Sequence, residues 1–146
     1  MIVQRTLDVG DCLSILTNPE IFDAVSEDGA TYNDLKIDVI GNYWLSITDK
    51  ELIGVVQFKP ITSHCFESHI HILKEHRKAH SYDAGKAIVE WCKGNLKGTL
   101  YAHTPAYCKN VVKFLEQFEF SSAGAIPKAW NKNGELHDLV ILTRVI

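Results

Sequence analysis

At Ser81 the spacing of apolar residues changes period, and this change limits what the chain can fold into. Upstream, apolar residues come in short runs with the period-two look of strands. Downstream, Ala84, Ala87, Ile88 and Trp91 recur at helical spacing, with Lys86, Glu90 and Lys93 on the other side. Ser81 or His80 opens this predicted helix and Gly94 closes it. A sequence that switches from strand period to helix period and back again predicts helices packed on a sheet, not a bundle or a sandwich.

The remaining elements follow the same logic. Ile2 to Asp8 alternates as a strand. Two short helices come next, the second opened by Asn18-Pro19-Glu20: a cap, a proline at the first helical position and an acid in the first turn. Tyr43 to Thr48 and Leu52 to Lys59 read as a hairpin across Asp49-Lys50-Glu51. Cys65 to Leu73 is a further strand, with Phe66, Ser68, Ile70 and Ile72 on one face. Gly98 to His103 is short and strand-like. Thr104-Pro105 signals another helix, with Tyr107, Val111, Phe114 and Phe118 as its stripe. Phe120 to Ile126 and Leu136 to Val145 close the chain as strands, joined through the turn-rich Asn131-Lys132-Asn133-Gly134. The expected class is α+β, a mixed central β-sheet with flanking helices in the order β-α-α-β-β-β-α-β-α-β-β.

At 146 residues, 46% of them hydrophobic, the chain is read as one domain over 1–146 with enough apolar material for its own core. The formal charge is -3, and Arg5, Arg77 and Arg144 are the only arginines, which argues against a nucleic-acid partner. No stretch approaches the ~20 apolar residues of a membrane span, and the N-terminus does not read as a signal peptide. Cys12, Cys65, Cys92 and Cys108 form no CxxC and are read as reduced thiols of a cytoplasmic protein.

Phosphate-loop, GxGxxG, GxSxG and HExxH patterns are missing; Arg77 stands where the glutamate of a zinc protease would follow His76. Five of the seven histidines fall between His64 and His80. On a strand, His69 and His71 share a face with Glu67, so a carboxylate lies beside imidazoles that can accept protons directly or through water. These histidines are read as lining a groove with no resident ion; a metal-binding protein built on the His64–His80 cluster is the remote alternative. The segment from Ile70 to Ser81 reads as strand, basic loop and helix start, and a helix start offers unpaired N–H groups to a phosphate.

This segment and the element order together resemble the GNAT superfamily of N-acyltransferases over nearly the whole chain. The resemblance is carried by His71 to Ala87 and by Leu100 to Phe120, including Thr104-Pro105, Asn110 and the run Phe114-Leu115-Glu116-Gln117-Phe118-Glu119-Phe120. The later pattern Gly124, Trp130, Asn133-Gly134 and Asp138 resembles divergent bacteriophage and prophage members. The resemblance implies acetyl-CoA, or another acyl-CoA, as co-substrate and an amine acceptor of unknown identity. Glu67, His69 or His71 would help deprotonate the ammonium, with His103 as a further candidate. A backbone N–H at Ile72 or Leu73 would hold the thioester carbonyl, and loop amides from Arg77, Lys78, Ala79, His80 and Ser81 would bind the pyrophosphate.

The chain departs from the family's pattern at two places. The pyrophosphate pattern [QR]-x-x-G-x-[GA] finds no glycine between Gly54 and Gly85, and can start at Arg77 or at His76. Five residues before Phe120 stands Leu115 instead of a tyrosine, and Glu119 replaces the glycine of the family's GF ending. Two readings therefore stand: an acyl-CoA-dependent N-acyltransferase, and a non-catalytic GNAT-fold phage protein acting as a structural or binding module. The oligomeric state is open, a homodimer included.

Overall fold

A computed structural model describes all 146 residues, Met1 to Ile146. The strands are β1 (Ile2–Arg5), β2 (Tyr43–Asp49), β3 (Glu51–Thr62), β4 (Cys65–Ile72), β5 (Thr99–Pro105), β6 (Ser121–Lys132) and β7 (Glu135–Val145). The helices are α1 (Val9–Leu16), α2 (Pro19–Val25), α3 (Lys74–Asn95) and α4 (Lys109–Gln117), with a 3-10 turn at Tyr32–Asp34. Element order and class are as the periodicity predicts. One seven-stranded sheet runs β1-β2-β3-β4-β5-β7-β6, antiparallel except for the β4–β5 pair.

Local chemistry explains most boundaries. Asp8 caps α1 by accepting from the amides of Gly10 and Asp11, and Asn18 caps α2 by accepting from Glu20 and Ile21. The Asn133-Gly134 turn joining β6 to β7 takes two left-handed residues, at φ 54° and 75°, as a tight hairpin requires.

Two helix starts differ from expectation. α3 begins at Lys74, not at Ser81, and continues past Gly94 to Asn95. Leu73 in the cap position offers no side-chain acceptor, and the first two turns carry no apolar stripe because polar contacts hold them. His76 Nε2 lies 3.5 Å from Glu51, His80 Nε2 3.3 Å from Asp49, and Arg77 pairs with Glu20. Similarly, Thr104 and Pro105 extend β5, and α4 starts only at Lys109. Tyr107 and Val111 are therefore exposed, while Leu115 and Phe118 carry the buried face.

The sheet has two different faces. On one, Leu45, Val56, Phe58, Phe66, Ile72 and Leu100 pack against Ala84, Ile88 and Val89 of α3 and Leu115 of α4. On the other, Trp44 and Val55 pack under Cys12, Ile15, Leu16 and Ile21 of α1 and α2. The second cluster is small and covers only the β2–β3 side, which leaves Glu67, His69, Tyr101 and His103 of β4 and β5 on the uncovered part of that face. All four cysteines are unpaired, and burial pushes the thiols of Cys12 and Cys92 up to about 11 and about 12. No helix is long and apolar enough to cross a membrane.

Candidate active site

β4 and β5 pair through only three positions, Cys65 with Thr99, Phe66 with Leu100 and Glu67 with Tyr101, and then diverge. The sheet is thus split in its middle, with strand edges left open on both sides. On the β4 side the alternation of the antiparallel ladder fixes what the edge presents. The Leu73 amide donates to Ile53 O at 2.9 Å, and the β3–β4 register is unbroken from Gly54–Ile72 to Pro60–Phe66. Odd-numbered amides of β4 therefore point toward β3, and those of Ser68, Ile70 and Ile72 point into the split. Of the two amides expected to hold a carbonyl, Ile72 faces the split; Leu73 does not, because its proton is already bound within the sheet.

The same alternation sends the side chains of Glu67, His69 and His71 to the face shared with α1 and α2. β5 contributes His103 to that face. Glu67 Oε1 lies 3.0 Å from His69 Nε2 and 2.8 Å from His103 Nε2, so two strands converge on one carboxylate oxygen. The His69 ring lies parallel to that of His71 with centroids 6.4 Å apart, and edge-on to His103 at 5.4 Å. All four residues expected at the catalytic position are therefore neighbours.

Their electrostatics differ. The hydrogen bond from His69, followed by that from His103, outweighs burial and holds the Glu67 carboxyl down at about 2. Burial pushes His71 down to about 3, aided by the charges of His69 and Arg77. Neither is a useful proton acceptor near neutrality. Glu67 is a fixed negative charge, and His71 is a neutral packing ring. The imidazoles left to exchange a proton on this face are those of His69 and His103, whose Nε2 atoms both lie against Glu67 Oε1.

The region between Arg77 and Ser81 is not a loop, and this changes its chemistry. The amides of Lys78, Ala79, His80 and Ser81 lie inside α3, where the helix uses them. Arg77 is committed as well: its Nε donates to Ile72 O at 2.8 Å, and its two terminal nitrogens donate to Glu20 at 2.9 and 2.8 Å. It ties α2 to the end of β4, so it is a clamp and not a free cation. The unpaired amides lie further upstream. His76 N–H reaches Leu73 O at 2.9 Å, which leaves those of Lys74 and Glu75 without intrahelical acceptors. The exposed side chains of Lys74 and Lys78 stand one turn apart at this end.

Residues beyond the expected set complete the surroundings. Tyr101 pairs with Glu67 across the strands, and burial and the Glu67 charge raise its hydroxyl. Its place two residues before His103 on one strand is a signal the alternation carried. On the α3–α4 face, an apolar cavity of about 50 Å³ lies under the split among Ser68, Ile70, Gly85, Ile88, Phe114 and Phe118. On the other face, the β6–β7 turn is fastened to α2 and the segment after it: Asp28 accepts from the amides of Asn133 and Gly134, and Lys132 donates to Asp23 and Ser26. This bridge walls a groove of about 500 Å³ lined by Asp23, Tyr107, Cys108, Lys132, Glu135 and His137. Leu115 is buried in the core, while the Tyr107 hydroxyl accepts from Trp130.

A mixed sheet of this order, split after a short parallel pairing with α3 rising from the end of β4, is the fold of the GNAT N-acetyltransferases. Comparison with solved structures bears this out. Spermidine N-acetyltransferase from Vibrio cholerae, in complex with CoA and spermine, superposes with a TM-score of 0.78 at 20% identity, over 99% of this chain and 94% of that one. Ribosomal-protein-alanine N-acetyltransferase from Brucella melitensis gives 0.73 at 16% identity, over the full length of both chains. A putative acetyltransferase from Salmonella typhimurium, with its cofactor acetyl-CoA, gives 0.71 at 17% identity over 99% and 93%. No protein-family model and no curated relative matches the chain. The phage or prophage kinship suggested by the tail pattern finds no support in these similarities.

Proposed function

We propose that the protein is an acyl-CoA-dependent N-acyltransferase that moves an acetyl group from acetyl-CoA to an amine. The observation that carries the reading is the split itself. It presents free amides of β4 along one edge, unpaired amides at the start of α3, and a Glu67–His69–His103 cluster on the face above. The pantetheine arm lies along the β4 edge beside the apolar cavity, accepting and donating hydrogen bonds as a missing strand would. The pyrophosphate rests on the amides of Lys74 and Glu75 and on the Lys74 and Lys78 ammonium groups, with the amides about one turn upstream of the loop expected from the sequence.

The amine enters from the opposite face, past the groove under the β6–β7 bridge. His69 or His103 takes its proton, and Glu67 stabilises the imidazolium so formed. The neutral amine attacks the thioester carbonyl, whose developing negative charge is met by the Ile72 amide. The nitrogen of the tetrahedral intermediate gives its second proton to water as the C–S bond breaks, and the departing CoA thiolate takes up a proton from water in turn, since Leu115 stands where the resemblance would place a tyrosine. Four unpaired thiols suit a reducing compartment such as the cytoplasm.

A thermal-denaturation series with acetyl-CoA tests the cofactor. Ligand at 100 times its Kd adds about 2.7 kcal/mol to the native state and raises Tm. Release of free CoA thiol is then followed over a panel of amines that includes spermidine, spermine and alanine-bearing peptides, chosen from the acceptors named for the similar structures. An unchanged Tm at millimolar acetyl-CoA would refute the reading.

A further inference from the structure

We propose that Glu67, His69 and His103 form a reversible binding site for a divalent transition-metal ion of the zinc type, occupied in competition with the amine. The carboxylate oxygen of Glu67 and one nitrogen of each imidazole all lie within 4.8 Å of one another. Two of these separations, 3.0 and 2.8 Å, converge on the single atom Glu67 Oε1. A tetrahedral zinc ion, with bonds of about 2.0–2.2 Å, holds its ligand atoms about 3.3 Å apart. Admitting one requires each of the two short contacts to open by a few tenths of an ångström, within the reach of side-chain rotation.

The three ligands come from two strands that are paired at one end of the site. Glu67 and His69 come from β4 and His103 from β5, and the two strands are locked together at the Glu67–Tyr101 pair. The three side chains are only 14–30% exposed, so an ion would be partly withdrawn from water. Two imidazoles and one carboxylate suit zinc, cobalt, nickel or copper and do not suit magnesium or calcium. A neutral imidazole that donates from Nε2 becomes a ligand by moving its proton to Nδ1, with no net proton release.

No hydrogen-bond partner fixes Nδ1 of either ring; His69 has the face of His71 beside it, and His103 has Tyr101. Without a second layer holding the rings, the ion exchanges readily and is not a structural one. Its effect on acyl transfer rests on the function proposed above: an ion on these three groups consumes both lone pairs that would accept the amine's proton, so zinc inhibits.

The test separates the two claims because binding is read without acyl-CoA. Purified full-length protein is titrated with zinc against a chromophoric chelator, and cobalt(II) is added separately to record its visible absorption. The expected result is one ion per chain and intense cobalt bands of low-coordinate type. Glu67→Gln, His69→Gln and His103→Gln should each weaken binding at least about tenfold, since loss of outer-layer partners alone commonly has that effect. The pair His76→Gln, His80→Gln on α3 should leave it unchanged. Circular dichroism identifies any variant that fails to fold, and the cobalt spectrum of the unaltered protein stands independently of the variants. Absence of binding overturns the proposal, as does binding that survives the first three substitutions or disappears with the α3 pair. Zinc binding without any transferase activity would refute the function while leaving the site intact.

Discussion

Replacing Glu67 by glutamine should flatten the dependence of stability on pH in acid, by an amount the site geometry sets. The carboxyl titrates at about 2 in the folded chain against an ordinary 4.5, because His69 and His103 donate to it. Its folded pKa is depressed, so its stabilisation is fully present above 4.5 and is lost as the pH falls from 4.5 through 2. Each tenfold change in proton affinity is worth about 1.4 kcal/mol, which gives about 3 kcal/mol at pH 7 and about half of that at pH 3. Urea unfolding of both proteins at pH 3, 4, 5 and 7 measures the difference, and subtraction removes the other carboxylates that titrate in the same range. Glutamine keeps the shape and cannot ionise. The gap between the proteins should hold steady from pH 7 to 5 and shrink by about 2 kcal/mol on reaching pH 3. A gap that is constant across the range would mean that Glu67 gains nothing from the imidazoles in the folded state. On the proposed mechanism the same variant should also lower kcat/KM, read by thiol release, because the imidazole that takes the proton loses its counter-charge.

Arg77→Met should lower stability by about 1–2 kcal/mol in urea titrations, since it removes the clamp to Glu20 and the bond to Ile72 O. It should weaken acetyl-CoA far less than Lys74→Glu with Lys78→Glu, and calorimetric titration with acetyl-CoA ranks the two. Gly85→Ala should lower Tm, because a Cβ there collides with the Phe118 ring; overpacking of this kind costs about 1–3 kcal/mol. Glu119→Gly should raise stability by about 1 kcal/mol, as it relieves a non-glycine residue held at φ 64°; the ion pair lost to Arg144 involves a largely exposed carboxylate and offsets little.

What could be read from the sequence divides along one physical line. Strand alternation placed Glu67, His69 and His71 on one face, and element order brought His103 to it, because side-chain direction on a strand follows from position alone. The start of α3 was invisible for the opposite reason. Lys74 to His80 has no apolar periodicity, since that part of the helix overhangs the core and is held by Glu51, Asp49 and Glu20, each 25 to 57 residues from its partner in the chain. No local pattern announces such contacts. Reading those residues as a loop made Arg77 a phosphate ligand, and the clamp geometry reassigns it. Glu67's role changed for a similar reason: alternation could place the carboxylate beside imidazoles, but only the two hydrogen bonds show that it is too acidic to be the base.

The split after Glu67 makes one strand serve two purposes, and the pleat keeps them apart. Odd residues of β4 direct their side chains to the face where an amine would lose its proton, while their amides stay within the sheet. Even residues direct their amides into the split and their side chains, Phe66, Ile70 and Ile72 among them, into the core under α3. Substitution at an odd position can thus remove proton-transfer chemistry without touching the backbone groups that would hold a thioester. Substitution at an even position alters packing, and reaches the amides only through movement of the strand. The Leu73–Ile53 hydrogen bond fixes this parity, since a slip of one residue would exchange the two sets. His71 marks how far the odd set extends: beside Val55 and close to the α1–α2 cluster it is too dry to charge, so the usable chemistry ends at His69 and is completed from β5 by His103.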